Sequence, residues 1–126
     1  MSLALIESDT WRLWSEPEEG VQWMAAEVFR DGAWHAVVPD CRPADGPRAG
    51  QSSDAPLAAA NFHMLPYSNR IREGRFEHQG RTVQLEKAEA HAIHGALRKL
   101  PWQVVKQDSQ TLICRINTVN HTDVNW

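Results

Sequence analysis

Long apolar runs are missing from this 126-residue chain. No stretch approaches the roughly 20 apolar residues that a membrane-spanning helix needs. The N-terminal sequence MSLALIESDTW has no basic residue ahead of its apolar run, and Glu7 and Asp9 interrupt that run before it could act as a signal peptide. The sequence therefore predicts a soluble, cytoplasmic protein with no membrane partner.

The chain also contains few cysteines and no excess of positive charge. The two cysteines, Cys41 and Cys114, lie far apart and belong to no CxxC pattern, so free thiols in a reducing compartment are favoured over a disulfide. The formal net charge is −3, which gives no general electrostatic reason to bind nucleic acid. We expect no nucleic-acid partner.

Strong helical periodicity is largely absent, and short strand-like stretches take its place. The dipeptides Asp31-Gly32 and Gln79-Gly80 suit tight hairpin turns between such stretches. Many short strands with closely spaced turns indicate an all-β, antiparallel β-sandwich, and the length predicts one domain, residues 1–126. The predicted strands cover residues 10–15, 21–30, 34–38, 75–78, 81–85, 102–106 and 111–116.

Two segments do not fit this strand pattern. Residues 39–56 contain four prolines and two glycines, which predicts a long irregular loop. Residues 86–100 have a helical composition, but Gly95 interrupts the segment and Pro101 closes it. A helix and a loop with one helical turn therefore both remain open there.

Tryptophan is abundant, with six residues in the chain. Five of them, at positions 11, 14, 23, 34 and 102, lie in or beside strand-like stretches, where large aromatic side chains pack well on a pleated surface. We expect them to pack in the core, with stacking on a sugar open for one or two.

An Asn-Arg pair stands out just after a proline-led turn. Asn69 and Arg70 follow Pro66, Tyr67 and Ser68, so both should project from a loop. Arginine offers a rigid fork of donors, and asparagine offers a donor and an acceptor. Together they suit the hydroxyls and ring oxygen of a sugar.

His91 and His94 form a second candidate feature, in the sequence HAIHG. On a helix, their i, i+3 spacing would place both on one side, as a two-histidine metal site requires. No third ligand stands at a supporting spacing, so we expect neither a metal nor another cofactor. For His91 and His63 a structural role is the favoured interpretation.

The order of these motifs resembles the aldose 1-epimerase (galactose mutarotase) family. The resemblance runs through PYSNRIREGRF, the following hairpin and the IHG step at His94 and Gly95. It implies a monosaccharide or sugar-phosphate substrate bound by Asn69, Arg70 and His94, with His94 as an auxiliary catalytic group. It also implies a large, many-stranded sandwich of which this chain is the N-terminal portion.

Mutarotation requires a base and an acid on opposite sides of the sugar ring. In the family these are a glutamate near the C-terminus and a second histidine, and neither has a counterpart in this chain. We therefore expect an aldose 1-epimerase-related protein that is catalytically incomplete. The alternative is a non-catalytic carbohydrate-binding or interaction module on the same scaffold. Sheet edges left uncovered by an incomplete sandwich predict a homo-oligomer.

Overall fold

The computed structural model describes residues 3–43, 59–85, 90–121 and 124. These residues form antiparallel strands and only two single-turn 3-10 helices, Pro17–Glu19 and Leu97–Lys99. The chain is therefore all-β and sandwich-like, as the sequence predicts. In chain order the strands are β1 Ala4–Glu7, β2 Trp11–Glu16, β3 Gln22–Arg30, β4 Ala33–Ala36, β5 Ile71–Arg72, β6 Arg75–His78, β7 Arg81–Gln84, β8 His91–Ala92, β9 Gln103–Gln107 and β10 Leu112–Arg115.

Strands β1 to β4 form one antiparallel sheet in sequence order. The β3–β4 turn at Asp31 and Gly32 has φ values of 53° and 79°, the left-handed conformation that suits a tight hairpin. This confirms the hairpin predicted from that dipeptide. The sheet supplies most of the buried apolar side chains, including Leu13, Met24 and Ala26.

The rest of the described chain forms three two-stranded ladders: β6–β7, β9–β10 and β5–β8. The first two confirm the predicted hairpins. The β9–β10 hairpin is largely open to solvent, with Val105 52% and Ile113 47% exposed. The β5–β8 ladder was not predicted, because two-residue strands are too short to show any periodicity.

The segment 86–100 is not a helix where it is described. It contains strand β8 and the single turn Leu97–Lys99, so the loop with one helical turn is the correct alternative. Residues 86–89 lie outside the described residues, and so does 44–56 of the predicted loop 39–56. Within the described ranges, no helix is long and apolar enough to cross a membrane.

The tryptophans do not form the core. Trp11 is 48% exposed, and the other four described tryptophans are half-buried. On one face of the sheet, Arg12 lies 4.2 Å from the ring centroid of Trp34, and Arg42 lies 4.0 Å from that of Trp14. Since Trp14 and Trp34 stack against guanidinium groups, the expectation of core packing is wrong for them.

Backbone hydrogen bonds join the four-stranded sheet to the later segments. The Trp23 amide donates to the carbonyl oxygen of Asn61 at 2.9 Å, and the Trp102 amide donates to that of Pro17 at 2.9 Å. The amide of Glu7, the last residue of β1, donates to the carbonyl oxygen of Ser109 in the turn between β9 and β10. The sheet therefore supports the segments on both sides of the candidate site.

Candidate functional site

The loop that carries Asn69 and Arg70 runs into the start of β5. Both residues are exposed, as expected for side chains that project from a loop. Among the residues that the structure describes, neither side chain has a hydrogen-bond or ion-pair partner. The donors of Arg70 and the amide of Asn69 are therefore accessible to a solute.

His94 lies beside this loop, although 26 residues separate it in sequence from Ser68. Its Nδ1 is 3.0 Å from the carbonyl oxygen of Ser68, the residue that precedes Asn69. The imidazole is half-buried and meets the ring of Phe62 edge-to-face at 5.6 Å between centroids. The fold thus brings His94 next to the segment that carries the Asn-Arg pair.

Gly95 lets the two segments approach this closely. It has φ 74°, and a Cβ at this position would overlap the backbone carbonyl of Leu65. The same carbonyl oxygen accepts a hydrogen bond from the Leu97 amide at 3.2 Å. This close backbone approach at Gly95 fixes the turn that carries His94.

His91 and His63 occupy different surroundings. The Nδ1 of His91 accepts a hydrogen bond from the Glu73 amide at 3.2 Å, which ties β8 to the turn after β5. His63 is exposed, and its ring lies 6.3 Å from that of Trp102. These contacts agree with the structural roles that the sequence favours for both histidines.

Two described acidic residues, Glu73 and Glu77, follow the loop closely in sequence. Glu73 and Glu77 are exposed, and Glu77 accepts a hydrogen bond from the Thr82 hydroxyl at 2.5 Å. Across the described ranges, no three His, Cys, Asp or Glu residues are grouped as a metal site would require. Asn69, Arg70 and His94 are side chains of this region that can form hydrogen bonds.

Phe62 is not identified from the sequence, and Arg98 stands out there only, with Arg72 and Arg75, as a basic residue that would suit a phosphorylated sugar. Phe62 packs against His94, and the guanidinium carbon of Arg98 lies 5.6 Å from the Phe62 ring centroid. Neither stands in a recognisable motif. Arg98 was visible only as one basic residue among several, so no sequence signal pointed to this contact.

Comparison with known proteins identifies the family. Residues 47–125 match the model of the aldose 1-epimerase family. This chain belongs to the aldose 1-epimerase family. The matched range contains Asn69, Arg70 and His94 and begins after strand β4.

One curated relative extends this result. The chain is 33% identical over 85 residues to the uncharacterized protein YphB of Escherichia coli (strain K12), a match that covers 65% of this chain and 27% of YphB. The matched region thus spans about a quarter of the length of that relative. No solved structure matches the chain.

Proposed function

We propose that this chain carries one wall of an aldose 1-epimerase sugar site. Asn69, Arg70 and His94 bind a monosaccharide or a sugar phosphate, and His94 is an auxiliary catalytic group. The observation that carries the proposal is the 3.0 Å contact between His94 Nδ1 and the Ser68 carbonyl, because it joins the histidine to the loop that bears the other two residues.

Each of the three side chains has a chemical task in this proposal. The guanidinium of Arg70 donates to sugar hydroxyls or to a phosphate, since its donors form a rigid fork. The Asn69 amide can donate to one hydroxyl and accept from another. The imidazole of His94 forms a hydrogen bond to the sugar from beside the loop that carries Asn69 and Arg70.

Mutarotation itself needs more than this wall. A base must take the proton from the C1 hydroxyl and an acid must protonate the ring oxygen, so that the ring opens and closes on its other face. The family's late glutamate and second histidine have no counterpart among these 126 residues. Since one positioned acid or base contributes about 10²–10⁴ in rate, we propose that the chain alone binds sugar with little or no turnover.

Calorimetric titration with glucose, galactose and glucose 6-phosphate tests binding. Arg70→Ala and His94→Ala should each weaken binding by about 10-fold or more, the loss expected for a hydrogen bond to a charged or well-positioned group. Arg81→Ala and His78→Ala are matched controls, because both residues are exposed on the β6–β7 hairpin. Equal effects in the controls and the site variants would contradict the proposal.

Polarimetry on freshly dissolved α-glucose or α-galactose tests turnover. A rate equal to that of buffer, together with calorimetric binding, is the expected result. A rate well above buffer that disappears in His94→Ala would show that a base and an acid are present after all. Binding without turnover also fits the alternative function, a non-catalytic carbohydrate-binding module.

The location of the protein is part of the proposal. Cys41 and Cys114 are both in the thiol form, and burial raises the pKa of the Cys114 thiol. The thiol form of both cysteines supports the proposed cytoplasmic location, because oxidising compartments favour disulfides.

A further inference from the structure

We propose that Phe62 and the Ser68 carbonyl are positioning groups that hold His94 with its proton on Nδ1 and with Nε2 directed to the sugar as a hydrogen-bond acceptor. The inference concerns the protonated atom of one imidazole. It rests on the proposed function in one respect only, namely that the group hydrogen-bonded to Nε2 belongs to a sugar.

The assignment begins with the Ser68 carbonyl oxygen. A carbonyl oxygen can only accept a hydrogen bond, and it lies 3.0 Å from His94 Nδ1. Nδ1 must therefore carry a proton. In a neutral imidazole only one nitrogen is protonated, so Nε2 keeps its lone pair.

The backbone around His94 keeps the ring in place. His94 and Gly95 have φ values of 63° and 74°, and Gly95 forms a bridge with Leu65. The left-handed conformation is costly for a residue that has a Cβ, so it persists at His94 only because the surrounding contacts hold it. The direction in which the side chain leaves the backbone is thereby set.

The aromatic contact restricts rotation of the ring itself. Phe62 meets the imidazole at 5.6 Å with 68° between the ring planes, a preferred edge-to-face geometry. Arg98 lies 5.6 Å from the Phe62 centroid, within the range of a cation–π contact. A flipped imidazole would turn carbon toward the Ser68 oxygen and lose the hydrogen bond, so Arg98, Phe62 and Ser68 together favour one orientation.

The chemical consequence separates two possible roles for His94. A neutral imidazole protonated on Nδ1 can accept a hydrogen bond from a sugar hydroxyl, but it has no proton on Nε2 to give to the ring oxygen. Only the doubly protonated imidazolium could donate through Nε2. We therefore assign the neutral form of His94 to recognition of a hydroxyl and not to protonation of the ring.

The test is long-range ¹H–¹⁵N NMR of the full chain with ¹⁵N-labelled histidine, without sugar, at a pH where the ring is neutral. The signals of His94 are assigned by their loss in His94→Asn. We expect a protonated Nδ1 and an unprotonated Nε2, favoured by about fivefold or more, the population ratio that one net hydrogen bond supplies. An Nε2-protonated ring, or an even mixture, would overturn the inference.

Two pairs of variants test the positioning roles. Phe62→Leu should move the His94 ring toward an even mixture of tautomers, while Phe62→Tyr should keep the wild-type pattern because it retains the aromatic ring. Arg98→Ala should have a smaller effect of the same kind, and Arg98→Lys should restore the wild-type pattern. An unchanged pattern in folded Phe62→Leu would remove Phe62 from the assignment. If that variant does not fold, the wild-type and Phe62→Tyr spectra still decide the tautomer.

Adding glucose or galactose separates this inference from the proposed function. A shift confined to His94 Nε2, with Nδ1 still protonated, supports both. The expected tautomer with no response to either sugar supports the positioning but counts against the sugar site. The opposite tautomer refutes the positioning, whatever the sugar does.

Discussion

The four-stranded sheet β1–β4 and the segments that follow it differ in the interactions that stabilise them. The sheet contains most of the buried apolar residues, among them Met24 at 1% exposure, and a network of partly buried ion pairs. The described later segments bury Leu85, Ala92 and Leu97 and contain turns and backbone hydrogen bonds such as that from Leu97 to Leu65. The comparison teaches that the sheet holds more of the described buried apolar residues, while the candidate site is built on the later part that the family model matches.

The largest effect on stability should come from the core of the sheet. Met24→Ala should lower the free energy of unfolding by about 2–5 kcal/mol, because it removes a fully buried side chain and leaves a cavity. Met64→Ala is the matched control. Met64 is 44% exposed in the later segment, so its loss should stay within about 0.5 kcal/mol. Denaturant titration of both variants measures the difference, and equal effects would contradict the contrast between the two regions.

Gly95→Ala should have the next largest effect, and its effect should be concentrated at the site. The left-handed backbone costs about 1–2 kcal/mol for alanine, and the Cβ must also displace the Leu65 carbonyl. Gly80→Ala carries only the first cost, because Gly80 has the same φ of 74° and no atom within 4 Å of its Cβ position. The difference between the two variants therefore isolates the second cost. Only Gly95→Ala should weaken sugar binding in calorimetry. Similar unfolding free energies for the two variants would show that the close approach is unimportant.

The ion-pair network of the sheet should contribute less than its core. Glu27 accepts from Arg12 at 2.5 Å and from Arg42 at 3.4 Å, and its side chain is 15% exposed. Glu27→Gln should cost about 1–2 kcal/mol of unfolding free energy, since it leaves two arginines without their shared carboxylate. Asp31→Asn removes the exposed pair with Arg30, where both side chains are 77% exposed, and should change almost nothing. Thermal unfolding that ranks Asp31→Asn as the more damaging variant would contradict this prediction.

The smallest effect should be at the turn between β9 and β10. The Gln110 amide, and then the Lys106 ammonium, hold the pKa of Asp108 below its usual range. A lowered pKa in the folded state contributes stability above the ordinary aspartate value of 3.8, and this contribution is lost as the pH falls below that value. The Asp108 amide donates to the Thr111 carbonyl at 2.9 Å, and its protection against exchange, relative to the intrinsic rate at each pH, should fall over that range. Asp108→Asn keeps an acceptor for the Gln110 amide and should remove the pH dependence.

Sequence patterns located those elements whose signals are local. The turns at Asp31-Gly32 and Gln79-Gly80 identified two hairpins, since a tight left-handed turn favours glycine and small polar residues. Strands β1, β5 and β8 were missed, because they are short and each depends on a partner strand. The expectation of core packing was wrong for Trp14 and Trp34, because the packing of Trp14 against Arg42 involves a residue 28 positions away.

The same division applies to the candidate site. The motif order predicted Asn69, Arg70 and His94, and it predicted the family to which the chain belongs. It could not predict Phe62 or Arg98, whose contacts arise only when residues 62–68 lie against residues 94–98.

The sequence by itself determined the all-β class, the positions of the tight turns and the membership of the aldose 1-epimerase family. These follow from residue types read over a few neighbouring positions. Only the tertiary structure decided which atom of His94 faces Ser68 and which side chains hold its ring. Such contacts depend on which chain segments lie side by side in the folded structure. A pattern over a few neighbouring residues carries no information about that.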